Sequence, residues 1–87
     1  MLKKIQERTF EEIKKGLLDN TSLEIPIKYF LVNWFPKQRV SDEILTNALM
    51  AFDKKYGLDH ITILSGKRVV AVRFWWQKHW VKEGENA

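Results

Sequence analysis

The sequence predicts an α+β domain: three helices followed by a C-terminal antiparallel β-hairpin. Three observations carry that class. Apolar residues recur at helical spacing in residues 2–18 and again in 42–56. Between them LEIPIKYFLVNWFP carries an apolar stripe interrupted and ended by proline. After Gly57, two β-rich runs flank Ser65-Gly66-Lys67, with glycine placed for a turn.

In the first helix Leu2, Ile5, Ile13 and Leu17 recur with Phe10 beside them. Glu7, Arg8, Glu11, Glu12, Lys14 and Lys15 fill the other side, and Glu11 with Lys15 forms a favourable i,i+4 pair. Gly16 weakens the last turn by about 1 kcal/mol relative to alanine. The polar run Asp19–Ser22 then breaks the pattern.

The second segment fits two patterns. As a helix, Ile27, Phe30, Leu31, Trp34 and Phe35 form one stripe, Pro26 takes the first helical position and Pro36 stops the run. As a strand, Leu23, Ile25, Ile27, Tyr29 and Leu31 alternate, but Pro26 interrupts the ladder. The helix over 26–35 is the favoured reading.

Ser41 is a good N-cap for the third helix, with Asp42 and Glu43 at the positive end of its dipole. Ile44, Leu45, Ala48, Leu49, Phe52 and Tyr56 make its buried face, and Gly57 suits the residue after the last turn. In the hairpin, 60–64 and 68–75 are the strands. Alternation puts Val70, Val72, Phe74 and Trp76 on the core face and Val69, Ala71, Arg73 and Trp75 on the other.

At 87 residues the chain reads as one small domain over 1–82, with 83–87 a flexible acidic tail. Its thin core leans on 11 aromatics. With no cysteine there are no disulfides, thiolate metal sites or thiol chemistry. No apolar leader and no run of about 20 apolar residues is visible, so the cytoplasm is the expected compartment and no membrane partner is expected.

The net charge is +4, and nearly all of the excess lies late in the chain. Residues 61–82 contain no acid but carry Lys67, Arg68, Arg73, Lys78 and Lys82 among Phe74, Trp75, Trp76 and Trp80. A cationic, tryptophan-rich surface suits an anionic partner with flat faces, or an apolar protein partner. His60 and His79 do not converge with other ligands, so no metal is expected. No phosphate loop, dinucleotide motif or nucleophile motif appears, so neither an enzyme nor a cofactor is expected.

The order helix, helix, helix, hairpin, with Lys67 and Arg68 at the tip, resembles a winged-helix domain. The resemblance is one of element order and covers most of the chain. It implies that the third helix enters the major groove and the hairpin tip touches phosphate. The expected function is therefore non-catalytic nucleic-acid binding, with duplex DNA as the expected ligand. Lys37, Arg39, Lys67, Arg68, Arg73 and Lys78 would meet phosphate, and Thr46, Asn47 and Lys54 would read from the helix. Against this, Asp42 and Glu43 would repel phosphate at that helix's start. The alternative is a protein–protein interaction module, such as a small inhibitor or adaptor, masking a partner through Trp75 and Trp80 with Arg73. An exposed aromatic strand also invites edge pairing and a symmetric homodimer.

Overall fold

Charged and apolar faces alternate along helix α1 (Leu2–Gly16) with helical period, and the apolar face buries Ile13. Strand β1 (Leu23–Pro26) follows, then α2 (Ile27–Asn33), α3 (Asp42–Tyr56), β2 (Leu58–Ser65) and β3 (Arg68–Trp76). The computed structural model describes residues 2–77, so the expectations for Lys78, Trp80 and the 83–87 tail lie outside the described residues. The architecture is α+β: three helices and a three-stranded antiparallel sheet of order β1-β3-β2.

The sheet corrects the expected lone hairpin. LEIPIKYFLVNWFP divides: Leu23–Pro26 is strand and Ile27–Asn33 is helix. Pro26 makes both halves possible. Its φ of −59° suits a helix entry, its ψ of 143° is still extended, and it ends the strand instead of opening the helix. Leu23 pairs with Phe74 and Ile25 with Val72, so β1 adds apolar side chains to the inner face of β3. β3 is thus the central strand. The aromatic strand has no free edge, which removes the expected edge pairing through it.

Helix α3 begins and ends as its sequence dictates. The Ser41 side chain accepts from the Ile44 N–H at 3.2 Å. Gly57 takes the left-handed conformation at φ 69° and sends its N–H to Asp53 O. Ile44 is a correction: it is half-exposed, while Leu45, Leu49 and Phe52 carry the buried face. The connection before α3 holds Lys37 at φ 59°, the only non-glycine in the left-handed region among the described residues.

β3 also departs from simple alternation. Ile63 pairs with Ala71 but Leu64 pairs with Val69, so Val70 is an extra residue in a bulge. Val72 and Phe74 stay on the inner face and are fully buried. Beyond the bulge the faces shift. Val69, expected outside, joins a groove with Ile27 and Leu45, and Val70, expected in the core, is exposed.

Four rings close the core. Phe30 meets Trp34 at 4.9 Å, Trp34 meets Phe52 at 5.0 Å, Phe52 meets Phe74 at 5.8 Å and Phe74 returns to Phe30 at 6.1 Å. A second run ties in α1. Phe52 leads to Tyr56 at 5.0 Å, Tyr56 stacks on Phe10 at 4.2 Å, and Phe10 meets the edge of Trp76 at 6.0 Å. Such pairs add about 0.5–1.5 kcal/mol each beyond area burial.

One polar side chain sits inside this core. Thr9 is fully buried on α1. Its hydroxyl donates to Ile5 O at 2.9 Å and accepts from Trp34 Nε1 at 3.0 Å. With its one proton committed, the 2.8 Å contact to Tyr29 has the phenol as donor. All three bonding positions of the hydroxyl are used. Replacing Thr9 by valine keeps the shape and orphans the buried Trp34 N–H. We expect a loss of about 1–3 kcal/mol, and a melting midpoint lower by about 4–8 °C per kcal/mol. Tyr29→Phe should cost less in the same melts, because that bond is only partly buried and Trp34 keeps its acceptor.

Candidate nucleic-acid interface

The hairpin tip is built from a two-residue loop. Ser65 pairs with Arg68, leaving Gly66 and Lys67 as the turn. Gly66 has φ 64° and Lys67 does not adopt positive φ, the pattern of a type II′ turn. Glycine is required because a side chain at that φ is strained. The turn thrusts Lys67 and Arg68 into solvent.

The tip does not stand alone. A groove of about 470 Å³ is lined by Lys67, Arg68 and Val69 of the hairpin, Ile27 and Leu31 of α2, and Val40, Asp42 and Leu45 around the start of α3. The α2–α3 connection and the hairpin tip therefore meet at the N-terminal end of α3. Arg39 precedes Val40 and is exposed, as is Lys37 two residues earlier. Asp42 shares its groove with two cations, which offsets the acidic start of the helix. Thr46, Asn47 and Lys54 lie on the exposed side of α3 with Met50, as its helical period requires.

Arg73 belongs elsewhere. It pairs across the sheet with Glu24, Nη2 to Oε1 at 3.1 Å, both side chains about half-exposed. A cation already facing a carboxylate is a weaker phosphate contact than Lys67 or Arg68, which meet no carboxylate within ion-pair distance among the described residues. Trp75 lies on the same outer face, half-buried and opposite Asp59. Trp76 lies on the inner side, half-buried against Phe10.

A buried polar pair links α3 to β2 and escaped the sequence reading. His60 Nδ1 hydrogen-bonds Asp53 Oδ2, with side chains only 11% and 13% exposed. Asp53 lies four residues after Leu49, on the stripe that faces the sheet, and His60 alternates with Leu58 on the inner side of β2. Those two spacings were the available signal. Burial pushes the Asp53 carboxyl above its usual range, with a further rise from Asp59, against the lowering effect of the His60 bond and charge. Among the described residues the buried Asp53 Oδ1 and Tyr56 hydroxyl find no hydrogen-bond partner.

Among the described residues no cluster of three or more histidines, cysteines or acids could hold a metal ion, and no helix is long and apolar enough to cross a membrane. Compared with protein-family models, with curated proteins and with solved structures, this chain matches none.

Two expectations follow. A carboxyl whose folded pKa is raised holds more protons folded than unfolded. Its contribution is full below the unfolded value near 3.8 and is lost as the pH rises through the folded value. In urea titrations over that window, wild-type stability should fall with rising pH relative to Asp53→Asn. A relative rise would instead mark the ionised pair as stabilising. In a parallel comparison, Phe74→Ala should cost about 3–5 kcal/mol. Trp75→Ala, at a half-buried outer position, should cost clearly less in the same unfolding measurement.

Proposed function

We propose that this domain is a small non-catalytic nucleic-acid-binding module that docks on duplex DNA through the basic hairpin tip and α3. The observation that carries the reading is convergence. Lys67 and Arg68 line one groove with the start of α3, and Arg39 sits on the adjoining connection. Sequence order alone separates these groups by more than twenty residues.

Each part has a task. Lys67 and Arg68 neutralise phosphates, and the release of condensed counterions favours binding. Lys37 and Arg39 add contacts beside them. Asn47 can pair with an adenine edge in the major groove, with Thr46 beside it and Lys54 reaching phosphate. The order helix, strand, helix, helix, hairpin keeps the likeness to a winged-helix domain. A secreted domain this small would usually need disulfide staples, and this chain has no cysteine, so we place the module in the cytoplasm.

A second reading is favoured by one observation. The sheet's outer face carries Ile61, 54% exposed, and the half-buried Trp75, a surface suited to a protein partner. The DNA reading ranks first because Lys67 and Arg68, in no ion pair among the described residues, line one groove with the start of α3, next to the connection that carries the exposed Lys37 and Arg39.

Titrations with duplex DNA over a salt series separate the two. Replacing both Lys67 and Arg68 by alanine should weaken all sequences alike and lower the log–log salt slope by about two. Arg73→Ala should leave the slope unchanged, because that guanidinium faces Glu24. No binding to duplex at about 50 mM salt, where phosphate contacts are strong, would turn the assignment to the protein-interaction module.

A further inference from the structure

The sheet has two edges, and they are built differently. The β1 edge is four residues long and ends in Pro26, which has no N–H to offer. The last turn of α1 closes on its start. Gly16 is so close to Leu23 that an added Cβ would sit 2.7 Å from Leu23 Cδ2. The β2 edge is eight residues long. It holds neither proline nor lysine, the usual guards of an edge. Among the described residues no strand pairs with its outer side. The one bulge of the hairpin lies on β3, so β2 itself keeps a regular run of backbone donors and acceptors.

We infer that β2 pairs antiparallel with β2 of a second copy of this chain, joining two sheets into one of six strands about a two-fold axis. Opposite residues in an antiparallel pair share a face, so the two-fold passes through a residue, not between two. If the axis passed through Ile61, Asp59 would face Ile63 of the other copy. Placed at Thr62, it sets Thr62 against Thr62 and Ile61 against Ile63. His60 then faces Leu64, and Asp59 faces Ser65 with the hairpin-tip Lys67 on the diagonal. Hydroxyl, β-branched and opposite-charge matches are those that stabilise cross-strand pairs. This register also covers Ile61 and Leu64, which are 54% and 58% exposed in the single chain. The charges agree as well, since Asp59 of each copy lies near a cation of the other.

In this register residues 59–65 of each copy pair, seven residues spanning about 23 Å at roughly 3.3 Å each. Such a contact falls in the small class of interfaces, below about 1,200 Å². The dimer is therefore reversible and fills at high protein concentration.

Sedimentation equilibrium of the full chain without nucleic acid tests this, over about 10 μM to about 1 mM, the Kd range of weak association. The mass should rise from 10.4 kDa toward twice that value. Ile61→Lys should hold the single-chain mass while keeping the wild-type circular dichroism, because the position is exposed. Leu18→Lys, at a 79% exposed site away from β2, should dimerise as wild type does. Asp59→Lys should weaken the dimer several-fold, and adding Lys67→Asp should restore it. Amide exchange should show β2 protection that grows with concentration.

A mass of 10.4 kDa at every concentration overturns the proposal, as does full dimerisation of Ile61→Lys. Protection of β2 that is independent of concentration also overturns it, by assigning the edge to residues 78–87 of the same chain. A charge swap that fails to restore pairing overturns the Thr62 register. None of these readouts involves DNA, so they stand or fall apart from the DNA-binding reading.

Discussion

The Trp34 indole sits where two kinds of cohesion meet. Its ring is one of the four that close the core, against Phe30 and Phe52. Its N–H reaches the Thr9 hydroxyl on α1. Without that acceptor the ring would bury a polar group unpaired, at a cost comparable to a lost hydrogen bond. Without the ring, α2 and α3 would lose the surface they share. α1 makes few other polar links to the body: its one described ion pair, Lys14 with Glu11, is internal and exposed. The helix is therefore placed by apolar packing through Ile13, Leu17 and Phe10 and oriented by a single hydroxyl.

The same thin core determines what the far end of the molecule can do. Phe52 and Phe74 hold α3 against the inner face of the sheet, and the buried Asp53–His60 pair adds a directional tie between α3 and β2. Packing fixes how far the helix stands from the strands, and the hydrogen bond fixes its position along them. Under the proposed function this sets where the start of α3 lies relative to the hairpin tip. The Val70 bulge then bends β3 so that Val69 turns inward beneath Lys67 and Arg68. The cations are carried on an apolar footing instead of a free loop, and a charge held in place needs less ordering when a partner arrives.

Cation availability is decided by neighbours. Five basic side chains looked alike in the acid-free stretch of sequence. Arg73 is drawn to Glu24, from a segment nearly fifty residues earlier that became a strand. Lys67 and Arg68 meet no carboxylate within ion-pair distance among the described residues, and keep their charge for a partner. An exposed pair such as Arg73–Glu24 contributes at most about 1 kcal/mol. Its larger consequence is to remove one charge from the basic surface.

What the sequence determined by itself is the local structure. Ser41 and Gly57 bound α3 because capping is chemistry between residues three or four apart. The Gly66 turn follows from the need for positive φ between two β-rich runs. Period alone located Leu45, Leu49 and Phe52 on the buried face of α3 and Val72 and Phe74 on that of β3, but it misplaced Ile44, which is exposed, and Ala71, expected outside and buried. Tertiary structure decided the rest. Alternation allowed Leu23–Ile25 to be strand, but only the ladder that Phe74 and Val72 offer decided it against helix. The Val70 bulge depends on how β2 registers against β3, which period cannot state. Thr9 finds its partners only when Trp34 and Tyr29 arrive from the α2 segment, and Asp53 meets His60 only when helix meets sheet. Spacing along the chain reports neighbours within a turn or a pleat; contacts twenty to fifty residues apart form only when the core has been assembled.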